Sequence, residues 1–343
     1  MKWLVTGGAG FIGCNVVRRL LELRHQVVVL DDLSRRGTAE NLAWLEKQGP
    51  LTFARQDVRD ARGVAELMAA HRDADVVLHL AGQVAVTTSV TDPRTDFEIN
   101  ALGTFNVLEG VRRGGGEPVV LYASTNKVYG NMEHEGVELR NGRYAYKHLA
   151  RGVSETAPLD FHSPYGCSKG TADQYVRDYA RIYGLRSVVF RQSCIYGPRQ
   201  FGIEDQGWVA WFTIAAVLGR PITIFGDGRQ VRDVLFADDL ADCYLRAVEQ
   251  IDHTQGGIYN VGGGPDNQLS LLELLELLSA RTGRTITPAF ADWRPGDQKV
   301  FVSDIAKAKR DFGWFPKVSA TSGVDRLADW VLQEKALLAS VLG

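Results

Sequence analysis

Tyr165 and Lys169 stand four residues apart in "SPYGCSKG", at the start of a helical pattern covering about 165–184, so both side chains share one helix face. A phenol ionises near ~10 in water, and a neighbouring ammonium favours the phenolate, which makes Tyr165 a base for a hydroxyl group. Upstream, the apolar run "VVLYA" gives way to "STNKVYG", which sets Thr125, Asn126 and Lys127 at the C-terminal end of a buried strand. Small hydroxyls, an amide and an amine at such an end are placed to touch a ligand. A tyrosine and a lysine four apart also occur on plain exposed helices, so the pair gains meaning only from its surroundings.

Those surroundings begin at the N-terminus. "TGGAGFIG" puts Gly7, Gly10 and Gly13 between a first strand and a first helix, with Phe11 and Ile12 inside the turn. Gly7 permits the tight turn, Gly10 lets the backbone approach a pyrophosphate, and Gly13 lets helix and sheet pack closely. The helix N-terminus then faces phosphate charge. The second strand ends in Asp31 and Asp32, about 20 residues on, where a ribose-binding acid belongs. A carboxylate pair there accepts ribose hydroxyls and repels a 2′-phosphate, so the expected cofactor is NAD rather than NADP, against the pull of Arg35 and Arg36. Asp57 and Val58, ending the third strand, are expected at the adenine; a helix cap before "RDARGVAELM" is the competing reading of Asp57. Leu80, Ala81 and Gly82 end the fourth strand, where small residues allow close approach to the pyrophosphate and ribose.

The elements that must position these groups alternate regularly. "KWLVTG", "QVVVLDD", "LTFARQDV", "DVVLHLAG" and "PVVLYAST" are short apolar runs with helical patterns between them. Such alternation predicts an α/β fold, a doubly wound parallel sheet covered on both faces, with a smaller C-terminal substrate-binding lobe. Residues 1–175 are expected to form the Rossmann NAD-binding domain, its sheet continuing to about 197. Residues 176–343 are expected to form the substrate-binding lobe, interwoven with the first. Between them, 131–160 is polar and weakly periodic and reads as an excursion bordering the sugar or the base.

Composition narrows the partners. The 343 residues carry 45% hydrophobic and 23% charged residues, enough for a large core. A formal net charge of -2 gives no electrostatic case for nucleic acid or an anionic membrane. Cys14, Cys167, Cys194 and Cys243 lack CxxC spacing, so neither a disulfide framework nor a metal site is expected, and a reducing cytoplasm fits. Glycines interrupt the N-terminal apolar residues too early for a signal peptide, and no stretch approaches the ~20 apolar residues of a membrane span. His79, inside an apolar run, reads as a satisfied core histidine, and Cys194 as a packing residue.

Taken together, the glycine turn, Thr125, Tyr165 and Lys169 resemble the short-chain dehydrogenase/reductase superfamily, and the chain resembles its extended subfamily of nucleotide-sugar enzymes over nearly its whole length. The resemblance implies that Thr125, Tyr165 and Lys169 are catalytic, and that Tyr129 in "KVYG" is structural. It also implies that "FRQSCIYGPRQ" lies beside the nicotinamide, while "GDGRQVRD" and "RPGD" present Arg232 and Arg294 to a sugar nucleotide's diphosphate. Guanidinium forks suit that group because they bind phosphate oxygens bidentately.

In the 4,6-dehydratases of this subfamily the threonine is followed by an Asp-Glu pair that removes water from the sugar. Here Asn126 and Lys127 follow, so the expectation is reversible oxidation without elimination, the work of an epimerase. "TNK" and "DQGW", with Gln206 and Trp208, resemble the branch that inverts C2 and assign Asn126, Lys127, Gln206 and Trp208 to the sugar nucleotide. Residues 131–160 depart from the family pattern. Alternatives are a C2 epimerase of CDP- or GDP-glucose/mannose, a C4 epimerase of a nucleotide hexose, and a non-catalytic dinucleotide sensor. A homo-oligomer, dimer or tetramer, is expected.

Overall fold

The computed structural model describes residues 1–294 and 297–343; Pro295 and Gly296 of the "RPGD" motif lie outside the described residues. Seven parallel strands form the central sheet. Five come from the first 125 residues: β1 (Lys2–Thr6), β2 (Gln26–Asp31), β3 (Thr52–Arg55), β4 (Val76–His79) and β5 (Val119–Thr125). Two more, Ser187–Gln192 and Ile258–Val261, extend it beyond β5, so that the order runs Ile258–Val261, Ser187–Gln192, β5, β4, β1, β2, β3. All six residues of Ser187–Gln192 and all four of β4 are buried, the continuous apolar pattern that a sheet covered on both faces demands.

In register, Val5 lies between Val29 and Leu78, and Leu121 lies between Leu78 and Val188. One layer of side chains, including Val5, Val29, Leu78, Leu121 and Phe190, packs against the first helix, α1 (Phe11–Glu22), and the helix Ala237–Glu249. The opposite layer, including Leu4, Val77 and Val120, packs against helices Ala61–Ala70, Gly103–Arg113 and Ser163–Tyr183. The doubly wound arrangement expected from the alternation is therefore present. Strand order reverses at β1, with β2 on one side and β4 on the other, and a crevice at such a switch point takes ligands.

His79 ends β4 and is satisfied on both ring nitrogens, by the Thr6 hydroxyl at 2.6 Å and the Thr104 hydroxyl at 3.0 Å. Burial draws it down to about 3, which keeps it neutral.

A second apolar cluster joins the helices Trp208–Leu218, Leu271–Thr282 and Ala320–Gln333 to the strand Val231–Phe236. That strand pairs with Gln268–Ser270, Val300–Phe301 and Cys194–Tyr196. Residues 131–160 hold an antiparallel hairpin, Val137–Arg140 with Arg143–Tyr146. The Tyr144 hydroxyl donates to Asp227 at 2.8 Å and the Tyr146 hydroxyl to the Val300 carbonyl at 2.9 Å. The excursion is thus tied to the small sheet, and of 131–160 only Asn131 lines the large cavity described below. Among the described residues no helix is long and apolar enough to cross a membrane.

Candidate active site

The C-terminal ends of β1, β2, β4 and β5 open into one cavity of about 890 Å³ that runs on to the helix Trp208–Leu218 and the strand Val231–Phe236. Every residue named above for the cofactor, the chemistry or the sugar nucleotide lines it, from Gly7 at one end to Arg294 at the other. Residues from the two ends of the sequence meet there because the chain crosses from the large sheet to the small one through Cys194–Tyr196, directly after Ser187–Gln192.

At the first end, Gly7 takes a left-handed φ of +68° and sits with its Cα face against the backbone of Leu80 and Ala81. A Cβ on Gly13 would come within 2.2 Å of the Gly7 carbonyl oxygen, so only glycine lets α1 start this close to β1. A Cβ on Gly10 would meet only the Gly7 carbonyl, at 3.1 Å, and otherwise project into open space. No side chain caps α1 at Gly10, which leaves the positive end of the helix to a ligand. The Asp31 carboxylate is buried and accepts the N–H groups of Ala9 at 3.0 Å and Leu33 at 2.9 Å. Burial raises its pKa while those two N–H groups oppose the rise.

Asp32 accepts from the N–H and hydroxyl of Ser34, and Arg35 reaches across the cleft to donate to Gln206. Asp57 is bound by Arg59, whose guanidinium and N–H hold the carboxylate below its usual range. The cap of the following helix is Asp60, which accepts from Arg62 and Gly63, so the cap reading of Asp57 is not needed.

At the centre, Tyr165 and Lys169 occupy the first turns of the helix Ser163–Tyr183, with Thr125 at the tip of β5. The Thr125 hydroxyl accepts the Lys127 N–H at 3.3 Å, capping a single 3₁₀ turn over Asn126–Tyr129. Burial raises the Tyr165 pKa, the Thr125 hydroxyl favours the phenolate, Asp96 opposes it and Arg35 favours it. Lys169 is anchored on β5. Its ammonium donates to the Ala123 carbonyl at 2.6 Å and lies 4.5 Å from the Tyr122 ring centre, and burial draws it down to about 7 against the pull of Asp173 and Asp96.

Two groups behind Lys169 escaped the sequence reading. Asn100 lies in a π-helical turn, Glu98–Leu102, and donates to Asp96 at 3.0 Å and Ser168 at 3.2 Å while accepting the Gln83 N–H at 3.0 Å. Asp96 also accepts from the Ser168 hydroxyl at 2.5 Å. Irregular turns inside helices accompany functional sites, but "FEINALGT" carries no spacing that announces one.

At the far end, Arg232 donates to Asp297 at 2.7 Å, and Arg294 lies 2.9 Å from Asp205 with its guanidinium over Phe225. The Trp208 indole N–H points to the Cys194 sulfur at 3.5 Å. Burial raises the Cys194 thiol, so it stays protonated and packs rather than attacks.

A glycine-lined strand-to-helix turn, an acid pair closing the second strand and a tyrosine–lysine helix beside a threonine define a dinucleotide-dependent enzyme of the short-chain dehydrogenase/reductase type. The model of the NAD dependent epimerase/dehydratase family matches residues 3–262, and the chain belongs to that family. It is an enzyme with NAD as its cofactor. It is 46% identical over 335 residues to CDP-paratose 2-epimerase of Salmonella typhi, covering 96% of this chain and 99% of that protein. In structure it resembles UDP-glucose 4-epimerase of Thermotoga maritima, solved with UDP-glucose, with a TM-score of 0.84 at 34% identity over 98% of this chain and 100% of that one. It also resembles UDP-glucose 4-epimerase of Thermus thermophilus, solved with NAD, with a TM-score of 0.79 at 34% identity over 97% of this chain and 99% of that one.

The residues present fit the dinucleotide. The uncapped N-terminus of α1 and the open space over Gly10 form a cradle that a Cβ would fill, and the buried Asp31 carboxylate lies at its ribose end.

Proposed function

We propose that the protein inverts C2 of a nucleotide-diphosphate sugar, as an enzyme of the CDP-paratose (CDP-tyvelose) 2-epimerase type. The observation that carries this reading is the cavity beside Thr125. Asn126 and Lys127 stand there in a chain 46% identical to a CDP-paratose 2-epimerase, and no adjacent acid pair follows the threonine to drive loss of water.

In this reading NAD, when bound, supplies the hydride acceptor and donor that let a carbinol carbon become planar and be rebuilt on its other face. Gly7, Gly10, Phe11, Ile12 and Gly13 receive the pyrophosphate, Asp31 and Asp32 the ribose hydroxyls, and Asp57 and Val58 the adenine, with Leu80, Ala81 and Gly82 flanking the chain between. Tyr165 takes the proton of the sugar C2 hydroxyl and later returns it, and Thr125 orients that hydroxyl through its own. Lys169 holds the end of β5 through Ala123 and adds positive charge behind the phenol. Asn126, Lys127, Gln206, Trp208, Arg232 and Arg294 contact the sugar nucleotide.

A homo-oligomer, dimer or tetramer, and a cytoplasmic setting complete the proposal. Four free cysteines with no disulfide agree with a reducing compartment.

A second reading, inversion at C4, is favoured by the likeness to UDP-glucose 4-epimerases. The two are separated with a CDP-sugar deuterated at C2, followed by NMR. Deuterium retained at an inverted C2 is expected, because a hydride that moves to the cofactor and back does not exchange with water. Inversion at C4 with C2 untouched, or loss of the label to solvent, overturns the mechanism. Binding of NAD with no inversion of any sugar nucleotide makes the protein a dinucleotide sensor.

A further inference from the structure

Three cations line the sugar side of the cavity, and they are not equivalent. Arg232 is paired with Asp297 and Arg294 with Asp205. Lys127 has only a neutral partner: its ammonium donates to Gln298 Oε1 at 3.2 Å. Gln298 cannot turn away, because it is buried and its Nε2 donates to the Gly130 carbonyl. Among the described residues no carboxylate oxygen lies within ion-pair distance of Lys127, and the nearest acid in its field, Asp297, is taken by Arg232. An ammonium withdrawn from bulk water without a counter-charge is unfavourable, and burial together with Arg232 already draws Lys127 down to about 8. Of these three cations, Lys127 is the one left for an entering anion to neutralise.

The place of that cation along the chain matters as much as its charge. Lys127 follows Thr125 by two residues, in the 3₁₀ turn that Thr125 itself caps, so their Cα atoms are at most about 7 Å apart. In a nucleotide-diphosphate sugar, C2 is separated from the nearer phosphorus by two atoms, C1 and the bridging oxygen. C4 is separated from it by four. A phosphate held beside Thr125 therefore brings C2 to the Thr125 and Tyr165 hydroxyls, whereas a phosphate held only by the more distant arginines leaves room for C4.

We propose that Lys127 binds the phosphate that carries the sugar, and that this contact selects C2 as the reacting carbon. The inference rests on the reading above that the substrate is a nucleotide-diphosphate sugar.

The test uses the NAD-loaded protein with CDP and CMP as probes, in wild type, Lys127→Gln and Lys127→Arg, with circular dichroism and retained NAD as checks on folding. CDP presents the second phosphate and CMP lacks it. Wild type is expected to prefer CDP by about 10- to 100-fold in Kd, the range for one charge-assisted contact. Lys127→Gln is expected to lose that preference while binding CMP unchanged, and Lys127→Arg to restore most of it.

An equal preference in wild type and Lys127→Gln overturns the phosphate contact whether or not the protein inverts C2. Full retention of C2 inversion in a Lys127→Gln variant that has lost the CDP preference overturns the selection of the carbon. If wild type shows the Lys127-dependent preference but inverts no C2 centre, the reading under Proposed function fails and the phosphate contact is supported alone.

Discussion

The hydroxyl of Tyr129 donates to Asn260 Oδ1 at 2.7 Å, joining residues 131 positions apart, and this bond turns Tyr129 away from the cavity that Tyr165 lines. Arg191 donates to the same phenol oxygen at 3.1 Å and pairs with Asp173, both members of the ion pair being buried. The Tyr129 ring stacks on Phe301 with centroids 6.1 Å apart. Tyr129 is thus a bolt between the large sheet and the small one, and burial lifts its phenol to about 12.

The two tyrosines should therefore fail in different ways. Tyr129→Phe leaves the Asn260 oxygen without its donor and is expected to cost about 1–3 kcal/mol of stability, read as a lower unfolding midpoint, with turnover near wild type. Tyr165→Phe is expected to fold and hold NAD but to lose ~10²–10⁴ in rate. A reversal of these two phenotypes would overturn the assignment.

The fingerprint glycines also separate folding from cofactor binding. Gly13→Ala would drive a methyl into the backbone of Gly7 and Gly8, neither of which can yield, so poor folding is expected. Gly10→Ala has an ordinary φ of -68° and only one close neighbour, so the variant should fold with a normal circular dichroism spectrum. Its methyl occupies the cradle, and the protein should purify without the dinucleotide that wild type retains. Chromatography of the denatured proteins checks both outcomes.

CDP affinity should depend on pH through Lys127. The groups facing it are Arg232, Asp297 and Cys194, and burial keeps that thiol protonated. The amine is protonated below about 8 and neutral above, so affinity should be flat near pH 7 and fall as pH rises through 8. Bound phosphate favours the charged amine, so the fall should approach about tenfold per pH unit, with uptake of one proton on binding. Calorimetry in buffers of differing ionisation enthalpy measures that proton, and Lys127→Arg should flatten the profile.

On helices Gly103–Arg113 and Ser163–Tyr183 the rings of Phe105, Tyr175, Tyr179 and Tyr183 touch in a row, and Phe105, Tyr175 and Tyr183 are exposed while Tyr179 is buried. Ile182 beside it is 66% exposed. Exposed apolar side chains grouped in this way are a candidate contact between two copies of the chain, so the protein is expected to be at least a dimer by sedimentation. Phe105→Glu combined with Ile182→Glu should shift it toward monomer while leaving NAD retention intact. Unchanged sedimentation would move the subunit contact elsewhere.

What could be read beforehand was local. The glycine turn, the acids ending β2 and the threonine ending β5 each sit within a few residues of the strand that positions them, and periodicity marks the strand. What escaped depends on pairs far apart in the chain. The spacing of Tyr165 and Lys169 specifies a shared helix face but not where a long, flexible amine points, and here it points to Ala123. Arg232 and Arg294 were expected simply to face a diphosphate; their carboxylate neighbours Asp297 and Asp205, 65 positions off in the first pair, have no sequence signal. The π turn holds Asn100 against Ser168, on the helix Ser163–Tyr183 and 68 positions away, and no local spacing encodes that meeting.

The outermost strand of the large sheet, Ile258–Val261, is the last to be synthesised, and it lies alongside Ser187–Gln192. A nascent chain that has reached residue 197 already contains the whole dinucleotide fingerprint, Thr125, Tyr165 and Lys169, yet it displays an apolar strand with an unpaired edge. Such edges recruit other chains. The interval before residue 261 leaves the ribosome is therefore the window in which aggregation competes with folding, and chaperone dependence should be greatest there. A fragment cut at 197 for cofactor studies should be insoluble for the same reason.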